Sequence, residues 1–137
     1  MSPKFELQDV KRLVHEFIAG DHDKVFFSLP RRSTSSVIQV FGSAEFSQQH
    51  AEQLILRGIL KLEVTDFHKR IWMDKWQEIM DEYGLEHYEG HNWYLKFCIS
   101  DDGDGRFLNE VSFHPLEEDM RLPDGRVLDV TYNQKVR

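Results

Sequence analysis

The stretch Asn92–His114, N-W-Y-L-K-F-C-I-S-D-D-G-D-G-R-F-L-N-E-V-S-F-H, sorts its side chains by chemistry. Trp93, Leu95, Phe97 and Ile99 alternate with Tyr94, Lys96, Cys98 and Ser100. Further on, Phe107, Val111 and Phe113 stand on one side and Glu110, Ser112 and His114 on the other. Period-two alternation marks a strand with one buried face. Asp101–Gly105 supplies turn residues that tolerate left-handed backbone angles. The pattern predicts an antiparallel hairpin with a phenol, an amine and an imidazole on its second face. With Ser100 opposite Arg106, Tyr94 stands opposite Ser112 and Lys96 opposite Glu110, with His114 diagonal to Tyr94. A phenol and an imidazole can pass protons, and an amine can offset negative charge. The same pattern also fits a plain solvated sheet surface, so the residues alone leave both readings open.

Other elements must hold that face in place. Val10, Leu13, Val14, Phe17 and Ile18 follow helical spacing, which predicts a helix over Glu6–Ala19 ending before Gly20. Val25–Ser28 reads as a short strand. Ser28 can cap a second helix with Pro30 in its first turn, carrying Val37, Ile38 and Phe41 and stopping at Gly42. Ser47 can cap a third, whose stripe is Ala51, Leu54, Ile55, Ile59 and Leu62, with Gly58 a weak point. Thr65–Ile71 reads as a short helix or turn capped by Thr65. Asp74–Tyr83, with Trp76 and Ile79, suits a helix or a strand. Gly84–Gly90 reads as a loop. Pro115 ends the central ladder. L-P-D-G-R then predicts a small second hairpin between Arg121-Leu122 and Val127–Val130.

A length of 137 residues suits one domain, and 10 Phe with 3 Trp can fill its core. The lone Cys98 rules out an internal disulfide and a cysteine-based zinc site, and reads as a packed strand residue. No apolar run approaches a membrane span and no leader pattern opens the chain, so a cytoplasmic protein without a membrane partner is expected. The net charge of -7 argues against a nucleic-acid partner for the chain as a whole. Yet Ser100–Asp124 carries -6 of it, which leaves room for a basic patch around Arg31, Arg32, Lys69, Arg70 and Lys75. His87 and His91 lack a third ligand, so no metal site is expected. D-D-G-D-G lacks the length and closing glutamate of a calcium loop. Gly103 and Gly105 sit among acids that would repel phosphate.

Several blocks, in order, resemble the MqsR-type toxins, ribosome-independent messenger-RNA endonucleases of toxin–antitoxin pairs. I-L-K-L-E-V-T-D-F-H-K (Ile59–Lys69) resembles their I-x-x-L-x-x-x-D-F-Y-K. W-Q-E-I (Trp76–Ile79) is similar to their W-Q-D-V, and G-H-N-W-Y-L-K (Gly90–Lys96) to a glycine followed by Y-[IL]-K. V-S-F-H (Val111–His114) resembles their V-S-F-K, and L-Q-D-V-K-R-L-V (Leu7–Val14) their first helix. The resemblance implies an α+β, RelE-like fold: a curved antiparallel sheet with two to three helices on one face. Residues 1–115 would form the toxin-like core, and 116–137 a C-terminal hairpin extension without a family counterpart.

The implied reaction is metal-free and needs no cofactor: the ribose 2′-OH attacks the adjacent phosphate and the 5′-oxygen leaves. The family's active positions fall on Lys69, for phosphate charge, on Gln77, for positioning phosphate or base, and on Tyr94, for proton transfer or stacking. The family's closing lysine is replaced by His114, and histidine as a residue type titrates near neutrality and can act as acid or base. Arg70, Lys75 and Lys96 would contact RNA. A second register leaves Met80 at the glutamine position and sets Asp81-Glu82-Tyr83 over the family's D-V-Y. The implied partners are single-stranded messenger RNA and an antitoxin protein, recognisable by a zinc-ribbon plus helix-turn-helix pattern. A non-catalytic RelE-like domain that binds protein or RNA is the alternative.

Overall fold

Eleven residues of strand β4, His91–Asp101, run through the middle of a five-stranded sheet. The structure, a computed structural model, describes residues 2–27, 32–41 and 47–130, with only the backbone for 32–35. The other strands are β1 (Val25–Phe27), β2 (Phe67–Met73), β3 (Glu78–Tyr88) and β5 (Arg106–Pro115). Their order is β1-β5-β4-β3-β2. All pairings are antiparallel except β1 with β5, so the sheet is mixed where a purely antiparallel one was expected. Three helices, α1 (Leu7–Ile18), α2 (Arg32–Phe41) and α3 (Gln48–Lys61), share one core with one face of the sheet. The chain is therefore α+β.

The helices follow from local chemistry. Ser47 caps α3 as expected, its Oγ accepting from His50 N at 3.2 Å. Such a cap contributes about 1 kcal/mol. Val10, Leu13 and Val14 of α1 and Leu54, Ile55 and Ile59 of α3 are buried against Trp93, Leu95, Phe97 and Phe113. Gly58 marks a close approach, not a weak point: an added Cβ would lie 3.0 Å from both Phe113 and Tyr88 rings. The capping Ser28, Pro30 and the stop at Gly42 lie outside the described residues, as does Arg31.

Two expectations fail between residues 64 and 90. Thr65–Ile71 is not a helix. A single 3-10 turn, Val64–Asp66, is closed by a capping box between Glu63 and Asp66, and β2 begins at once. Glu63, not Thr65, is the cap, with its amide donating to Asp66 Oδ2 at 2.8 Å. Gly84–Gly90 is not a loop either, because β3 continues to Tyr88. Gly84 sits inside that strand because side chains press on it: an added Cβ would meet Met120 Sδ at 2.6 Å and Leu128 Cδ2 at 2.8 Å. The ambiguous Asp74–Tyr83 resolves into a turn and the first half of β3.

The second hairpin forms as expected, from β6 (Met120–Arg121) and β7 (Val127–Leu128). Leu116, Met120, Leu122 and Leu128 make a small second core against Tyr94. Arg126 ties it to the body, donating to Asp66 Oδ1 at 2.8 Å and to Thr65 O at 3.0 Å. At the other end, buried Asp81 accepts from Lys4 N and Phe5 N, both at 2.9 Å, and anchors the N-terminal segment.

Candidate active site

The β4–β5 register decides which side chains meet on the helix-free face. Tyr94 pairs directly with His114, and Lys96 with Ser112. Nearer the turn the partners are Ser100 with Phe107 and Asp101 with Arg106. The expected register, with Ser100 opposite Arg106, is therefore corrected. Two steps make the difference: the turn end is already offset by one residue, with Asp101 opposite Arg106, and a bulge adds a second. Glu110 and Val111 together face the single residue Phe97, and Glu110 adopts φ 51. The bulge also places Leu108, rather than Phe107, in the core beside Val111 and Phe113.

Around this pair opens a cleft of about 970 Å³, lined by residues of β2 to β5, of the β2–β3 turn and of the C-terminal extension, with Ser36 of α2. The rings of Tyr94 and His114 stack, with centroids 4.7 Å apart and planes 14° from parallel. His114 Nδ1 lies 2.8 Å from Pro115 O. A carbonyl only accepts, so Nδ1 carries the proton there and the neutral ring keeps Nε2 as an acceptor.

Beneath the stack lies Glu82 of β3, 5% exposed. Its carboxylate bonds His68 Nδ1 and receives the Tyr94 hydroxyl. Burial, then that hydrogen bond, then the Glu82 charge hold the Tyr94 phenol far above its usual pKa. Tyr94 is thus a neutral donor and a ring for stacking, and it is not a base at ordinary pH. His68 reaches Glu82 through an irregularity in β2, where Phe67 pairs with Tyr83 but Lys69 already pairs with Glu82.

Of the residues expected from sequence, Lys69, Tyr94, His114, Lys75 and Lys96 all line the cleft. Gln77 and Arg70 do not. Gln77 is exposed in the β2–β3 turn at φ 52, its amide donating to Asp74 O at 2.8 Å. Arg70 points to the N-terminal segment, with Nε donating to Ser2 O at 3.0 Å. Met80, offered by the second register, is buried. Sequence reasoning missed His68, Glu82 and Trp76 as site residues. His68 and Glu82 meet only through the pairing of β2 with β3, which the reading of Thr65–Ile71 as a short helix or turn hid.

Acids share the cleft. Glu110 lines it, its pKa raised by burial and pulled the other way by Lys75 and Lys96. Glu117, Glu118 and Asp119 add a wall from the extension. Cys98 is buried, and its thiol donates to Glu78 Oε2 at 3.0 Å. Burial first, and Glu78 second, push the thiol up to about 12, so it is inert. Among the described residues no three His, Cys, Asp or Glu side chains converge to hold a metal ion. Nor is any described helix long and apolar enough to cross a membrane.

The arrangement gathers two imidazoles, a phenol, amines and carboxylates in one cleft of an α+β sheet. Comparison with protein-family models, with curated proteins and with solved structures finds no match to this chain.

Proposed function

We propose that this chain is an endoribonuclease of the RelE-like, MqsR-type toxin class, cutting single-stranded RNA by attack of the 2′-OH on the adjacent phosphate. One observation carries the reading. Two imidazoles, one anchored by a buried carboxylate, line a single open cleft with a phenol and three amines. Metal-free transphosphorylation needs a base, an acid and positive charge around the phosphorane.

His114 Nε2 takes the 2′-OH proton as the O2′–P bond forms. His68, oriented by Glu82 through Nδ1, gives a proton from Nε2 to the departing 5′-oxygen as the P–O5′ bond breaks. The products are a 2′,3′-cyclic phosphate and a 5′-hydroxyl. Lys69 and Lys96 offset charge on the non-bridging oxygens. Tyr94 supports the His114 ring from one side. An antitoxin protein encoded nearby would complete the pair.

A second reading is a cleft of the same fold that binds RNA or protein without cutting. Its specific support is the acid wall, Glu117 to Asp119, which opposes phosphate. Incubation of purified protein with an RNA pool in the presence of chelator separates the two. Cleavage should leave cyclic-phosphate ends and stop when the scissile ribose is 2′-deoxy. His114→Ala and His68→Ala should each slow it by about 10²-fold or more. Intact RNA that is nonetheless bound favours the second reading. Unchanged rates in both histidine variants would remove the first.

A further inference from the structure

Trp76 is a large indole that the fold leaves 43% exposed, and it lines the mouth of the cleft. Burying an indole is strongly favourable, so an exposed one beside a cleft is an unused binding surface. Three bonds to the carbonyls of Met73 and Asp74 close the β2–β3 turn that carries it, and the Trp72 indole also donates to Asp74 Oδ1. Trp76 N donates to Met73 O at 3.2 Å, Gln77 N to Asp74 O at 3.3 Å, and the Gln77 amide to the same carbonyl at 2.8 Å. The Lys75 ammonium lies 4.9 Å from the indole centroid. Among the described residues no other ring stacks on Trp76.

A rigid exposed ring next to an amine is the pairing that single-stranded nucleic acids use: the base stacks on the ring and the amine meets the phosphate. We infer that Trp76 is a stacking platform for one unpaired nucleobase flanking the reacting phosphate, with Lys75 holding the phosphate attached to it. Resting on the endoribonuclease reading, this gives the cleft a base subsite beyond its acid–base groups. Every base has a π-face, so the platform fixes the strand's position without choosing its sequence. It also accounts for the structural role of Gln77: its positive φ and its bond to Asp74 O shape the turn that presents the indole.

The test uses full-length protein and short single-stranded oligonucleotides made non-cleavable by 2′-deoxyribose. Binding is read from tryptophan fluorescence in a Trp72→Phe background, which removes the other exposed indole. Binding should quench Trp76 emission. Trp76→Ala should weaken binding by about tenfold as read by anisotropy, and Trp76→Phe should restore most of it. One abasic position in the oligonucleotide should cost as much as Trp76→Ala, with no added cost when the two are combined. Equal affinity for Trp76→Ala and its parent, or indifference to every abasic position, overturns the platform. If the parent binds with quenching but never cuts RNA, the platform stands and the nuclease reading falls. If it cuts RNA while Trp76→Ala binds as well as its parent, the platform alone falls. A parent that binds no oligonucleotide overturns the platform, and one that also leaves RNA intact overturns both.

Discussion

Two buried phenols, Tyr83 and Tyr88, and the half-buried Tyr94 hold their protons by different means, with burial the leading cause each time. Tyr88 donates to Leu54 O at 2.6 Å and is pushed up to about 12. Tyr83 lies between Phe67 and Phe97 at 5.6 and 5.4 Å, and its hydroxyl has no partner among the described residues. Tyr94 is held by burial and Glu82. The consequence for stability has a definite sign. All three pKa values are raised, so above the usual phenol value of about 10 the unfolded chain releases protons that the native chain keeps. The unfolded state then binds fewer protons, and stability falls as pH rises. Denaturant unfolding at pH 8 to 11 should show a plateau, then a decline that starts near pH 10. Tyr88→Phe should lower the plateau by about 1 kcal/mol and make the decline shallower. Stability that holds level to pH 11 would contradict the burial of these groups.

Gly84 shows how one element sets another. It lies opposite Tyr94 in the β3–β4 ladder, and Met120 and Leu128 of the extension rest on it. Gly84→Ala should destabilise the chain by about 1–3 kcal/mol, because the added methyl overlaps both side chains. Loss should concentrate in the extension, so hydrogen exchange should rise in β6 and β7 before β4. Even exchange across both would mean the extension does not rest on this strand.

The same glycine explains why the sequence misleads here. Read locally, Gly84 breaks β3; only the contact with the extension, more than thirty residues away, gives it a reason. Likewise the alternation in β4 was legible because a long regular strand has few ways to place Trp93, Leu95 and Phe97. The register with β5 was not, since the bulge at Glu110 leaves the alternation on either side intact while moving Tyr94 directly against His114. Tyr94, Lys96 and His114 could therefore be placed on one face, whereas Lys69 came only from the resemblance, and His68 and Glu82 needed the β2–β3 pairing.

At the scale of the whole molecule, a net charge of -7 has to be reconciled with the anionic strand of the proposed reading. Its cations and acids are both drawn into the cleft: Lys69, Lys75, Lys96 and Arg121 against Glu82, Glu110 and the wall Glu117–Asp119. Glu82 is committed to His68 and Tyr94, so the wall is the part free to repel phosphate. Under the proposed reading the site would work as a charge filter, which a strand would enter only where these four cations outweigh the wall. With no more than four phosphates neutralised, the logarithm of affinity should fall against the logarithm of salt with a slope of about -3. Replacing the wall by Glu117→Gln, Glu118→Gln and Asp119→Asn should raise affinity for a non-cleavable oligonucleotide by about tenfold at low salt. The gain should shrink as salt screens the acids over a Debye length of about 10 Å or less. Unchanged affinity in the triple variant would mean the strand never passes the extension, and a slope steeper than about -4 would place its main contacts on cations outside this cleft.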